Sequence, residues 1–190
     1  MKKLLAILFA VVILAPAVQA QDLSLGGQLG YSYGRVKDVA GDEIRTNNFV
    51  VAPELGMKIS EDVNVGVGLS YGYTRIRETG VDTISRNAFG TYVFGEKALL
   101  AVGTLKVFLR GDVGYETFKW RDADDRGHTF YAGIAPNIQY PLSKCLTLTV
   151  SSGVLNLGVA HTKEGDAKAT VFGFNTGHSS DIAVGLKYAF

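Results

Sequence analysis

Residues 182–190, IAVGLKYAF, alternate bulky apolar side chains with small or charged ones. Ile182, Val184, Leu186, Tyr188 and Phe190 share one side of this pattern. A period of two is that of a β-strand, because successive side chains of a strand point to opposite faces. The segment is therefore expected to form a strand with one apolar face and an aromatic last residue.

The same alternation recurs in seven earlier segments. In the first of them, Leu25, Leu29, Tyr31 and Tyr33 alternate with Gly, Gln and Ser. In the seventh, the apolar positions switch from even to odd numbers, which predicts a β-bulge near Ser152 and Gly153. The eight predicted strands run over 23–33, 49–59, 63–73, 87–95, 106–116, 130–140, 146–159 and 182–190.

The connections between these strands alternate in length. Short turns are expected near Ser60 and Ser143. Long polar connections are expected at 35–46, 75–86, 117–127 and 161–170. This rhythm is typical of transmembrane β-barrels, whose turns are short on one side and long on the other. The prediction is an all-β protein, an eight-stranded antiparallel up-and-down transmembrane β-barrel with four outer loops.

The apolar face of each strand is predicted to face lipid. A soluble barrel alternates in the same way with its apolar side inward, so size decides between the two arrangements. The interior of an eight-stranded barrel is just wide enough for side chains to fill. Five or six bulky side chains per strand would overfill it, whereas the opposite face, rich in Gly, Ser, Asn and Ala, fits a narrow lumen.

The first twenty residues have the pattern of a cleaved secretory signal. Lys2 and Lys3 precede the apolar run 4–15, and the small-residue site Val18 to Ala20 follows. We expect Sec-type export, cleavage after Ala20 and a single barrel domain at 21–190. The apolar run is too short for a transmembrane helix, and no later stretch has eighteen apolar residues.

Composition bears on the class of function. Residues 1–20 carry two of the 19 basic side chains and none of the 18 acidic ones, so the rest of the chain has 17 basic and 18 acidic residues. This balance does not indicate nucleic-acid binding. Cys145 is the only cysteine of the chain, which excludes an internal disulfide. No cofactor is expected.

The strand pattern resembles a known family, the small eight-stranded outer-membrane β-barrels of the OmpA and OmpX type, including the porin-family β-barrel domain. The resemblance covers 21–190. In that family the last strand carries an assembly signal, which Gly185, Tyr188 and Phe190 match and from which Ala183 departs. The resemblance implies the outer membrane of a Gram-negative bacterium. It also implies outer-membrane lipid, lipopolysaccharide, the barrel-assembly machinery and periplasmic chaperones as partners.

Charged side chains are predicted on the lumenal face of several strands. They are Glu54, Lys58, Lys106, Arg110, Asp112, Glu116 and Lys187. Charges removed from water must pair, and four basic groups with three acidic ones are close to balance. We interpret them as a network that plugs the lumen. The alternative is a narrow passive pore, porin-like, lined by the same groups.

Aromatic side chains near the strand ends predict the girdles where a barrel crosses the two membrane interfaces. The predicted girdle residues are Tyr31, Tyr33, Tyr71, Tyr73, Tyr115, Trp120 and Tyr140.

One short motif suggests catalysis. His178 and Ser180 resemble the His and Ser of the outer-membrane lipid A deacylase, in which the histidine activates the serine for ester hydrolysis. That family orients the histidine with a glutamate farther along the chain, but no glutamate follows Glu164 here, and Asp181 would project to the opposite face. A lipid A esterase is therefore a second alternative, and an enzyme is not expected.

No metal site is expected either. The acidic segment 122–127 is spaced like the start of a calcium loop, but the twelfth position is Gly133 instead of a glutamate. His128 and His161 have no second ligand nearby in the sequence. The expected function is to stabilise the envelope or to bind something outside the cell through the four extracellular loops.

Overall fold

The computed structural model describes residues 23–37, 43–78, 83–121, 126–152, 156–165, 167–175 and 182–190. The predicted signal segment 1–20 lies outside these ranges. No helix in the described part of the chain is long and apolar enough to cross a membrane. The strands are β1 (Leu23–Lys37), β2 (Glu43–Lys58), β3 (Val63–Glu78), β4 (Ile84–Val102), β5 (Leu105–Trp120), β6 (Arg126–Pro141), β7 (Leu146–Ser152), β8 (Asn156–Glu164), β9 (Ala167–Asn175) and β10 (Ile182–Ala189).

These strands occupy eight positions of a closed barrel. From β1 to β6, each strand pairs antiparallel with the next. Both β7 and β8 pair with β6 and follow each other along the seventh position, and β9 and β10 form the eighth in the same way. Finally, β10 pairs with β1, which closes the ring. The predicted eight-stranded antiparallel up-and-down barrel is confirmed.

The seventh position contains the irregularity that the apolar pattern predicted. Asn137 of β6 lies opposite Ser151, and Ile134 lies opposite Leu157. Three residues along β6 therefore correspond to six residues along the chain from β7 to β8, which is a register shift of three residues. An odd shift reverses which side chains face outward, as a bulge does. Residues 153–155, where the bulge was expected to begin, lie outside the described ranges.

The strands extend beyond the predicted loop boundaries. Arg35 lies opposite Arg45, and Lys37 lies opposite Glu43, so the first hairpin continues well past the expected end of β1. The segments 75–86, 117–127 and 161–170 are also mostly paired strand. The expectation of four long polar loops was wrong in this respect. The outward positions of these extensions carry polar side chains, so the outward apolar period of the lower strands does not continue into them.

The fourth strand is also longer than expected, because it was predicted at 87–95 and runs to Val102. Its register with β5 is irregular between Ala98 and Leu100. The hairpin then turns at Gly103, whose φ of +61° favours a residue without a Cβ. Gly95 and Lys97 occupy outward positions where apolar side chains would have marked the strand, which explains the error.

The bulky apolar side chains lie on the outside of the barrel, as predicted. Leu29, Phe89 and Val93 are each more than half exposed (56%, 59% and 53%), whereas Ala52 and Glu54 on the inner face are buried. A continuous apolar surface of this extent is not stable in water. It matches a lipid environment, where the closed ring also leaves no unpaired strand edge.

Four of the aromatic rings inside the barrel each lie against a glycine directly opposite on the neighbouring strand. A Cβ on any of these glycines would overlap the ring. At these four positions the lumen accommodates a ring because the adjacent strand has no side chain there. The four pairs are Tyr92 with Gly68, Phe94 with Gly66, Tyr131 with Gly114 and Phe118 with Gly127.

Candidate functional site

Arg110 of β5 is the centre of a buried charge cluster inside the barrel. Its Nη2 lies 2.7 Å from Glu54 Oε1 and its Nη1 lies 3.2 Å from Glu54 Oε2, which is a bidentate pair. Its Nε donates to Asp112 Oδ1 at 2.9 Å. Its Nη1 also approaches Glu96 Oε1 at 3.4 Å. All three guanidinium nitrogens are therefore engaged with carboxylates.

Glu96 of β4 joins this cluster to two further strands. Lys187 Nζ donates to Glu96 Oε2 at 2.9 Å, and Gln139 Nε2 donates to the same oxygen at 3.0 Å. Asn137 Nδ2 donates to Glu96 Oε1 at 3.3 Å. Glu96 is only 2% exposed. A carboxylate buried so deeply is stable only with such partners, so the cluster is an interlocked unit.

Aromatic and amide side chains complete the cluster. Tyr92 donates its hydroxyl to Glu54 Oε1 at 2.7 Å, and Gln28 Nε2 donates to the same oxygen at 3.3 Å. The Arg110 guanidinium lies 4.2 Å from the centre of the Phe94 ring, within the range of a cation–π contact. Side chains from β1, β2, β4, β5, β6 and β10 thus meet in the lumen.

The cluster separates two cavities in the barrel. The first, of about 330 Å³, lies toward the long hairpins and is lined by Gln28, Asn48, Ser70, Asp112 and Tyr131 among others. The second, of about 240 Å³, lies toward the short turns and contacts Lys58, Asn64, Lys106 and Thr147. None of the described residues lines both cavities. The side chains around Arg110 therefore lie between the two cavities.

Four of the seven predicted lumenal charges belong to this cluster. They are Glu54, Arg110, Asp112 and Lys187. Lys58 and Lys106 line the cavity near the short turns and form no ion pair with the described residues. Glu116 lies 4.0 Å from Arg86 Nη2, nearer the outer end. Glu96 was missed because its strand was predicted to end at Gly95.

Trp120 was predicted in the aromatic girdle, and the structure corrects this assignment. It lies opposite Arg86, whose guanidinium is 5.5 Å from the Trp120 ring and 4.7 Å from the Phe118 ring. Phe118 is 3% exposed and faces the lumen, as Trp120 does two residues later. The prediction for Trp120 rested on its residue type and its position near the end of a strand. Trp120 is an even-numbered residue of β5, however, like the lumenal Glu116.

The other six girdle residues face outward. Two of the tyrosines use their hydroxyls in the same way: Tyr31 donates to Asn47 Oδ1 at 3.0 Å, and Tyr71 donates to Asn87 Oδ1 at 2.8 Å. Each asparagine lies one row nearer the hairpin tips. The rings therefore lie against the apolar band with their polar ends toward water. The outward set is Tyr31, Tyr33, Tyr71, Tyr73, Tyr115 and Tyr140.

The predicted assembly residues lie on β10 and just after it. Gly185 packs so closely against β1 that a Cβ would overlap the Gly27 carbonyl oxygen. Tyr188 and Phe190 face outward with their rings edge to face, 5.3 Å apart. The Phe190 amide donates to the Leu23 carbonyl at 3.1 Å.

The proposed esterase residues His178 and Ser180 lie outside the described residues, as does most of the acidic segment 122–127. In the part of the chain that the structure describes, no three His, Cys, Asp or Glu side chains are grouped as metal ligands.

No known protein family and no curated protein matches the sequence. Solved structures do share its architecture. The chain is similar to Neisserial surface protein A, with 12% identity and a TM-score of 0.51 over 88% of this chain and 97% of that one. It is also similar to the N-terminal β-barrel domain of Pseudomonas aeruginosa OprF (12% identity, TM-score 0.46, 90% and 98% covered). A major outer membrane protein of Thermus thermophilus gives 13% identity and a TM-score of 0.44, with 88% and 99% covered. The likeness to Neisserial surface protein A shows the fold, and the chain has the architecture of a transmembrane β-barrel.

Proposed function

We propose that this chain is a non-conducting outer-membrane barrel that stabilises the cell envelope or binds an external partner through its outer hairpins. The observation that carries the proposal is the buried cluster of Glu54, Arg110, Glu96 and Lys187 between two separate cavities. Its charges are paired within the protein, so they are poorly suited to guide ions through the lumen. We propose no catalytic activity.

The proposed location is the outer membrane of a Gram-negative bacterium, reached after Sec-type export and removal of 1–20. The outward apolar band, the short turns on the side of the C-terminus and the C-terminal aromatic pair support this location. The same features support an OmpA- or OmpX-like type of barrel. The barrel-assembly machinery, periplasmic chaperones and outer-membrane lipid, including lipopolysaccharide, are the proposed partners.

The alternatives make different demands on the chain. A passive pore needs a continuous water path, whereas the two cavities share no lining residue among those described. A lipid A esterase needs an acid that orients His178, and the lumenal glutamates near the cluster are engaged with Arg110 or Lys187.

Deletion of the gene tests the proposal in the cell. Loss of an envelope-stabilising protein should raise the entry of a hydrophobic fluorescent dye across the outer membrane and leave the uptake of small sugars and amino acids unchanged. Loss of a pore should instead slow the uptake of those small solutes. Normal dye exclusion together with slowed solute uptake would contradict the proposed function.

A further inference from the structure

The outer ends of β1, β2 and β3 bring arginines together on one outward surface. Arg35 lies directly opposite Arg45, and Arg45 lies directly opposite Arg77. One row below, toward the membrane centre, Arg75 lies opposite Asn47. We call these four residues, Arg35, Arg45, Arg75 and Arg77, the arginine patch.

The patch adjoins the upper edge of the aromatic girdle, where Tyr33 lies opposite Asn47 in the row of Arg75. Below the row of Arg75 and Asn47, the next row consists of Tyr31, Phe49 and Tyr73, which face outward like the arginines. Rows on one face of a pair of strands lie about 7 Å apart, since each spans two residues of about 3.4 Å. The guanidinium groups thus lie at the depth of lipid headgroups, where they face the membrane laterally and point away from the lumen.

The protein neutralises this patch only in part. Glu43 accepts hydrogen bonds from Arg35, at 2.7 Å, and from Arg45. These bonds, first that from Arg45, lower the pKa of Glu43 to about 2 and keep it ionised. No ion pair joins Arg75 or Arg77 to any residue that the structure describes. Four arginines and one carboxylate leave three positive charges on the patch. Like charges on directly opposite residues repel each other, so this arrangement is unfavourable by itself.

Basic residues also lie opposite each other at the outer ends of other strands of the barrel. Lys119 lies opposite Arg126, and Lys163 lies opposite Lys168, again at the outer end of the wall. These four residues are exposed at the surface. The described acids of this outer zone other than Glu43 are Glu78, Glu116 and Glu164, and the strand parity assigns them to the inner face. The outward surface above the girdle is therefore basic.

From this arrangement we infer that the arginine patch binds the phosphate groups of a phosphorylated glycolipid of the lipid A type in the outer leaflet. Guanidinium groups bind phosphate oxygens in pairs, and a phosphate between facing arginines relieves their repulsion. A membrane lipid fits better than a soluble polyanion because the patch faces sideways at headgroup depth, continuous with the apolar band. The inference rests on the proposed location in the outer membrane.

The test uses the whole barrel, residues 21–190, refolded in phosphatidylcholine nanodiscs that contain bis-phosphorylated lipid A. Native mass spectrometry then counts the lipid A molecules that remain on the protein after its release. We expect the parent chain to retain lipid A and the variant R75Q/R77Q to retain at least about tenfold less, because two charge-assisted contacts are lost. The variant K58Q/K106Q removes the same charge from the lumen and should retain lipid A like the parent.

Two further arms distinguish the source of the phosphate. Lipid A without its phosphates should not be retained, and millimolar inorganic phosphate should not displace the phosphorylated form. Equal retention by R75Q/R77Q and the parent would overturn the inference, as would displacement by free phosphate. The nanodisc measurement requires only the folded barrel, so its failure is distinct from a failure of the proposed envelope role, which the gene deletion reports.

Discussion

Lys187 Nζ lies 2.9 Å from Glu96 Oε2, although the two residues belong to strands on opposite sides of the barrel. Four strand pairings separate β10 from β4 in either direction around the ring. The ion pair therefore crosses the full width of the lumen. Together with the pair between Arg110 and Glu54, it makes the interior a part of the folded structure that holds the wall in shape.

Lys187→Met should destabilise the barrel strongly. The change leaves the Glu96 carboxylate, 2% exposed, with the longer contact to Arg110 Nη1 as its only ion pair among the described residues, and removing one partner of a buried pair costs about 3 to 5 kcal/mol. Urea unfolding of the protein in liposomes measures the effect. Lys106→Met is the matched control, because Lys106 forms no ion pair with the described residues and should cost much less. Similar midpoints for the two variants would contradict the role of the cluster.

Gly66→Ala should destabilise the barrel by about 1 to 3 kcal/mol through overpacking. The added Cβ would overlap the Phe94 ring and approach the Leu55 carbonyl oxygen to 2.5 Å, so that backbone as well as side chain must move. Gly95→Ala is the control, because nothing lies within 4 Å of its Cβ position. If both substitutions are neutral in the same unfolding assay, the packing of lumenal rings on glycines is not needed for stability.

Val67→Arg tests which face meets lipid. Val67 lies in an outward row between Leu55 and Val93, in the middle of the apolar band. An arginine on the lipid face near the midplane costs about 2 to 4 kcal/mol. Gly34→Arg, in the exposed outer end of β1, should lower the stability of the barrel much less. The face assignment fails if the two variants unfold in liposomes at the same denaturant concentration.

The titration of Glu43 tests the geometry of the outer hairpin. Its pKa is lowered from the usual 4.5 to about 2, mainly by the hydrogen bond from Arg45 and then by that from Arg35. The contribution of this carboxylate to folding is therefore present above about pH 4.5 and lost as the pH falls through 2. Carboxyl NMR shifts should give a midpoint near 2 in the parent and a higher one in Arg45→Gln. A parent midpoint near 4.5 would show that the contacts are not formed.

Deletion of Phe190 should slow assembly and leave unfolded precursor in the periplasm. The residue ends the chain with an outward ring packed on Tyr188, and its amide bonds to β1. The fraction of heat-modifiable, folded protein in the outer membrane measures the outcome. An unchanged yield would contradict an assembly role for the terminal aromatic residue.

The wall of the barrel could be predicted from the sequence better than its contents. Alternation as regular as that of Leu29, Tyr31 and Tyr33 indicates a strand with one apolar face, and the narrow interior of an eight-stranded barrel then assigns that face to lipid. The hairpins above the girdle lack this signal, because their outward positions carry charged residues such as Arg35, Arg45 and Arg77. Their apolar residues Val36, Ile44 and Ile76 have the opposite parity. The pairing of these hairpin strands can be recognised only by extending the register of the lower strands toward the outer end of the barrel.

The charge cluster was predicted in part for a related reason. Residues such as Glu54 and Arg110 interrupt the small-residue face of clearly alternating strands. Glu96 lies in a stretch where Gly95 and Lys97 hide the alternation and where a bulge follows at Ala98. The pairing of Glu96 with Lys187 depends on the barrel closing, which brings β4 and β10 face to face across the lumen and which no local pattern encodes.

The central claim is that the lumen is closed by the cluster around Arg110, and single-channel recording in a planar bilayer tests it most directly. The refolded parent chain, with folding checked by its heat-shifted gel mobility, should give no discrete conductance steps. Arg110→Ala, which removes the group that joins Glu54, Asp112 and Glu96, should give steps if it folds, and Lys106→Met should stay silent. Reproducible steps from the folded parent, altered by Arg110→Ala, would contradict the account and make passive transport the function.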